Sequence, residues 1–151
     1  MDLKQVKQII SQIEQQPDET KIMLLNAIKL ELTKCSPFRN EPVDCVQWVP
    51  AEHVVANDYN PNTVAPPEMK LLEHSIDQDG YTQPIVAWIN NGHYEVVDGF
   101  HRNRVGKEID HIKNRLFGYL PLTIINPNRQ EKGDRISSTI RHNRARGKHS
   151  I

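Results

Sequence analysis

Two short stretches of this 151-residue chain hold the residue types best suited to chemistry. The first is Asp98-Gly99-Phe100-His101-Arg102 with Arg104 two positions on, where the strand-like run HYEVV (93–97) passes straight into a helical pattern. Glycine lets a backbone approach a ligand closely and take unusual dihedrals. The first amides of a helix have no carbonyl inside the helix to bond, so a helix start can hold an anion, with support from the helix dipole. Arg102 can clamp a phosphate through paired N–H donors. His101 can donate a hydrogen bond or carry a proton near neutral pH. The plainer alternative is a tight Asp-Gly turn with solvated arginines.

The second stretch is TIRHNRARGKH (139–149). On a helix Arg141 and Arg144 share one face, suited to closing a phosphate cage. Arg146 and Lys148 near the helix end would also offset its dipole, so simple charge complementarity stays open. So does non-specific nucleic-acid contact, which needs little beyond clustered cations. Residues 1–98 carry 15 acids against 7 bases, and residues 99–151 carry 4 acids against 12 bases. The net charge of zero therefore conceals a basic C-terminal third that points to a local anion site.

These groups need elements to position them. Leu3, Val6, Ile9, Ile10 and Ile13 recur at helical spacing over 3–15. After Pro17, with Asp18 as a candidate cap, a second helix over about 18–34 carries Ile22, Leu25, Ile28 and Leu32. The two read as an αα-hairpin, which either packs on the rest of the chain or offers a dimer or partner surface. A proline-bearing linker (35–44) divides residues 1–44, a helical extension, from a domain over 45–151. In that domain a short strand (45–50) precedes a proline-rich loop. A helix over about 67–78 then places Met69, Leu72 and Ile76 inward and stops at Gly80, a candidate left-handed cap. A strand over 83–89, the hairpin signal Asn90-Asn91-Gly92, the return strand, a helix over about 100–108, a strand over about 120–125 and a helical pattern over 129–146 follow.

Several function classes fall away. The two cysteines, Cys35 and Cys45, form no CxxC pair, so neither a zinc knuckle nor a thioredoxin-like site is indicated, and reduced cytoplasmic thiols are expected. The polar N-terminus lacks the apolar stretch of a signal peptide, and no run is long enough to span a membrane. No carboxylate cluster suits a two-metal nuclease site, and no metal ligand set is expected.

The order of elements resembles the N-terminal domain of ParB/Spo0J-type partition proteins, over roughly residues 45–146. NDYNP (57–61) precedes the helix with LLEHSIDQDG. YTQPIV (81–86) is similar to the family's G-x-x-Q-P-I box, and VDGFHRNRVG (97–106) to its G-x-x-R-x-x-A box, although Gly106 departs from the usual nearby alanine. TIRHNRARG occupies the place of a later Asn/Arg box. The resemblance implies an α+β fold of the ParB/sulfiredoxin type, a small mixed sheet with flanking helices, here preceded by the αα-hairpin. It also implies a nucleotide pocket. Gly99, His101 and Arg102 would hold phosphates. Gly80 and Gln83 would shape the base or sugar side, and Asn143 and Arg144 would close over a triphosphate or its metal-bound form.

The ligand implied is CTP or ATP, with or without Mg²⁺. Phe100 stands where sulfiredoxins carry their reactive cysteine, so sulfiredoxin chemistry is not expected. Asn62 stands where many relatives place an arginine. Kinase-like members use an acidic first-box residue as base; Glu52 or Asp58 would have to serve, and neither sits in a matching motif. The chain stops at Ile151, where partition proteins continue into a helix-turn-helix domain. The short form resembles small ParB-like nuclease-domain, or IbrB-like, proteins of bacteria, and so implies a partner of the PAPS reductase family.

Three functions stay open at this point. One is a nucleotide-binding module acting through a partner protein or DNA. Another is an NTPase, phosphotransferase or nuclease-like enzyme with His101, Asp98 and Glu52 as acid/base groups. The third is a DNA-binding transcriptional regulator using the basic third.

Overall fold

A computed structural model describes residues 1–56, 66–125, 139–142 and 144. The chain divides into two compact units, Met1–Cys45 and Val46–Ile151.

The first unit is a helical hairpin of α1 (Lys4–Glu14) and α2 (Asp18–Lys34). Pro17 is the residue before α2, in extended conformation, so Asp18 does not cap the helix as its sequence position suggested. It lies in the first turn with Glu19, where acidic groups complement the dipole. Thr33 Oγ1 donates to Asp44 Oδ2 at 2.5 Å, tying the end of α2 to a 3₁₀ turn at Pro42–Asp44. Along α1 only Ile13 is buried, and Leu3, Val6, Ile9 and Ile10 remain exposed.

The second unit is built on a five-stranded mixed sheet of β1 (Gln47–Pro50), β2 (Val54–Val55), β3 (Ile85–Asn90), β4 (His93–Asp98) and β5 (Tyr119–Ile124), in the order β1-β5-β3-β4-β2. β3 and β4 form the hairpin that Asn91-Gly92 encodes. Both turn residues have positive φ, 49° and 82°, as a two-residue turn matching strand twist requires. β5 lies parallel to β3 and antiparallel to β1, and β2 runs parallel to β4.

Accompanying the sheet are α3 (Pro66–Asp79), α4 (Phe100–Glu108) and α5 (Asp110–Arg115). Two apolar clusters hold the unit together. One joins Val49, Ala51, Val54, Ile85, Ala87, Val96, Leu120 and Leu122 of the sheet region with Phe100 of α4. The other joins Ile76 of α3, Val105 of α4 and Ile112 of α5. Burying one such side chain contributes about 1.5–3 kcal/mol. Tyr81 packs against both clusters, so it stands where the sheet core meets the helical core.

β2 and α5 were not expected from the sequence. The helical pattern over 129–146 falls mostly outside the described residues; 139–142 and 144 are helical.

Candidate functional site: the cleft at the start of α4

β3 and β4 pair antiparallel, with Val86 opposite Asp98, so the chain entering β3 and the chain leaving β4 meet at one end of the sheet. Gly99 takes φ +90°, a left-handed conformation that favours glycine, and turns the strand into α4. Asn103 N–H donates to the Gly99 carbonyl at 2.9 Å and opens the helical ladder. The amides of residues 100–102 thus lie upstream of the first intrahelical bond, as an anion-binding helix start requires.

A cleft of about 210 Å³ opens here. Gly99, Phe100, His101 and Arg102 line it from the start of α4, Gly80, Tyr81, Thr82 and Gln83 from the loop before β3, and Leu72, Ser75 and Ile76 from α3. Of the nine binding residues expected from the sequence, Gly80, Gln83, Gly99, His101 and Arg102 are brought together in it. Its volume is below the roughly 300–1,000 Å³ usual for ligand pockets, so it fits the phosphate-bearing part of a nucleotide better than the whole molecule.

The guanidinium of Arg102 folds back over the turn. Its Nη2 donates to the Pro84 carbonyl at 3.2 Å, and a Cβ placed on Gly99 would lie 2.8 Å from that nitrogen. Arg102 therefore joins the two sequence boxes as well as lining the cleft. Asp98 is buried beside it: Oδ1 accepts from the Gly99 amide at 2.9 Å, and Oδ2 lies 3.7 Å from His142 Nδ1. The later box thus reaches the turn through His142. Arg141 and Arg144 are exposed and do not line the cleft, and Asn143 lies outside the described residues, as do Asp58, Asn62, Arg146 and Lys148.

Arg104 is exposed and pairs with Glu108 at 3.1 Å, one turn along α4 and away from the cleft lining. Glu52 is exposed in a 3₁₀ turn at Ala51–His53, 3.8 Å from His53, and does not line the cleft either. Lys107 reaches from α4 to donate to the Val54 carbonyl at the start of β2, and burial holds its ammonium below the usual lysine range.

Tyr81 is the site residue that the sequence reading passed over. Its hydroxyl donates to the Arg102 carbonyl at 2.5 Å and lies against Gly106, where an added Cβ would stand 2.5 Å from it. Burial pushes its pKa up to about 12, against the lowering influence of Arg102, of the Gly106 backbone and of Arg115. Its place in YTQPIV was a signal without a role, because its partners lie 21 and more residues away.

Among the described residues no group of three His, Cys, Asp or Glu side chains could hold a metal ion, and no helix is long and apolar enough to cross a membrane.

Comparison with known proteins agrees with this architecture. The chain is 52% identical over 136 residues to the Escherichia coli (strain K12) protein YbdM, a match covering 89% of this chain and 64% of YbdM. The chain thus spans somewhat under two thirds of that relative. The C-terminally truncated chromosome-partitioning protein ParB from Caulobacter crescentus, complexed with CTP-γ-S, shares the fold with a TM-score of 0.54 and 21% identity, over 68% of this chain and 54% of that one. Sulfiredoxin from Arabidopsis thaliana superposes less closely, at a TM-score of 0.41 and 21% identity, over 52% of this chain and 82% of that one. The family model of the ParB N-terminal domain matches residues 37–117, from the linker after the helical hairpin through the DGFHR turn to the end of α5. More than half the chain, including the whole described lining of the cleft, carries that pattern, and the chain belongs to the ParB N-terminal domain family.

Proposed function

We propose that this chain is a nucleotide-binding module of the CTP or ATP type, which acts by presenting its nucleotide-dependent state to a partner protein or DNA. The observation that carries this reading is the convergence of Gly99, His101 and Arg102 with Gly80 and Gln83 on one cleft at a helix start. The Caulobacter ParB relative, solved with CTP-γ-S, supports the same ligand class. The phosphates would meet the helix-start amides and the Arg102 guanidinium, and Gln83 and Thr82 would face the sugar or base. Mg²⁺, where present, would arrive with the phosphates and keep much of its water.

Calorimetric titration with CTP, ATP, ADP and GTP, with and without Mg²⁺, tests the proposal. At least one nucleotide is expected to bind, and Arg102→Ala is expected to weaken it tenfold or more. Binding by none of the four, or binding indifferent to Arg102→Ala, would overturn it.

A hydrolase or phosphotransferase reading draws on one observation, His101 on the cleft wall with the buried Asp98 three residues before it. It requires product to accumulate on long incubation and to vanish in His101→Ala. Glu52, exposed and outside the cleft lining, is not needed in this scheme.

A further inference from the structure

The hydroxyl of Tyr81 donates to the Arg102 carbonyl and lies against Gly106, where an added Cβ would stand 2.5 Å from it. Those residues are four apart in α4, the pair whose carbonyl and amide an α-helix ordinarily joins. A side-chain hydroxyl donating at that point ties α4 to the loop before β3. Gly106 makes this possible. A Cβ at that position would lie 2.5 Å from Tyr81 Oη and overlap Leu120 Cδ2, so an alanine cannot stand there without displacing both. The glycine that departs from the family's small-residue box is thus matched by a tyrosine from the other box. The Tyr81 ring also lines the cleft and packs on both apolar clusters, so it cannot move without disturbing both.

We propose that Tyr81 is a positioning residue that locks α4 through its hydroxyl between Arg102 and Gly106, and so sets the direction in which the helix-start amides and Arg102 face the cleft. Anion affinity at Gly99 then depends on a hydroxyl that is turned away from the anion, into α4. A ligand pressing on the ring would be felt at the phosphate end through the same contact. The ligand half of this statement rests on the nucleotide reading above; the lock on α4 does not.

Tyr81→Phe keeps the ring and removes the hydroxyl. Inorganic tripolyphosphate, which has no base or sugar to touch the ring, is the discriminating probe beside CTP and ATP. Tyr81→Phe is expected to weaken tripolyphosphate and nucleotide by the same factor, about tenfold. A loss for nucleotide alone would make Tyr81 an ordinary wall residue, and no loss for either would equally overturn the proposal. Gly106→Ala is expected to reproduce the Tyr81→Phe defect, with the double variant no worse than Gly106→Ala alone; additive losses would count against a shared contact. Should the wild-type chain bind neither nucleotide nor tripolyphosphate, the nucleotide reading fails by itself. The lock is then judged on the free protein: ¹⁵N–¹H spectra of Tyr81→Phe should shift the amides of Asn103–Gly106, and unchanged α4 resonances would overturn it.

Discussion

Gly99 and Gly80 both line the cleft and both take positive φ, yet they answer to different constraints. A Cβ on Gly80 would meet nothing within 4 Å, whereas one on Gly99 would press on the Arg102 guanidinium. Gly80→Ala should therefore cost only the backbone strain, about 1 kcal/mol, and leave Arg102 in place. Gly99→Ala should cost more, about 2–3 kcal/mol, and displace Arg102 from the Pro84 carbonyl. Urea unfolding of the two variants measures the difference.

Tyr81 gives a prediction in pH. Its folded-state pKa of about 12 lies above the value near 10 of an unfolded tyrosine, so folding favours the protonated hydroxyl. That share of stability is fully present below pH 10 and is lost as pH rises toward 12. It amounts to at most about 3 kcal/mol, from roughly two units at 1.36 kcal/mol each. Wild type should lose stability relative to Tyr81→Phe across that window in denaturant titrations. The strand-to-helix turn that lines the cleft was legible in the sequence because strand, glycine, His101 and Arg102 are adjacent. The tyrosine's role was not, because it arises only where two distant boxes touch.

At the level of elements, the end of α3 that leads into the cleft loop is anchored from behind. Arg115, at the end of α5, donates to the Ile76 carbonyl at 2.5 Å and to the Asp77 carbonyl at 3.0 Å, meeting the last turn of α3. Its Nη1 also lies 3.3 Å from Asp77 Oδ1, and His111 Nε2 lies 3.0 Å from the same oxygen. The Ile76 carbonyl also accepts from the Gly80 amide at 2.9 Å, and a cation at a helix end complements the dipole. Arg115→Ala is expected to destabilise the fold by about 1–3 kcal/mol, as bonds from a charged donor to part-buried carbonyls are lost. It should also loosen Gly80–Gln83, seen as faster amide exchange there. Removing Arg104, whose exposed partner Glu108 is worth well under 1 kcal/mol, should change neither quantity. The clamp was invisible in the sequence because α5 has only six residues and β2 only two, too short to show a hydrophobic period. The longer helices α1 to α4 and the hairpin β3–β4 were readable from periodicity, the Asn91-Gly92 turn and the glycines at 80 and 99. Chain order alone did not reveal that His142, rather than Arg141 or Arg144, contacts Asp98.

For the molecule as a whole, balanced charge sets the expected behaviour toward polyanions. The excess of bases after residue 98 is matched by the excess of acids before it. Non-specific DNA affinity should therefore be weak and vanish between about 50 and 200 mM salt, which fluorescence anisotropy can follow; retention unaffected by salt would contradict it. The division into two units also distributes the chain's natural labels. Both indoles, Trp48 on β1 and Trp88 on β3, belong to the sheet, and both thiols, Cys35 and Cys45, belong to the helical hairpin. Intrinsic emission therefore reports on the sheet unit alone, and a maleimide dye reports on the other. Cys35 is exposed and Cys45 only partly so, and mass spectrometry after brief labelling of native protein should find Cys35 modified first. The two units can thus be followed separately in one unfolding experiment, by indole emission and by a dye, with no engineered residue.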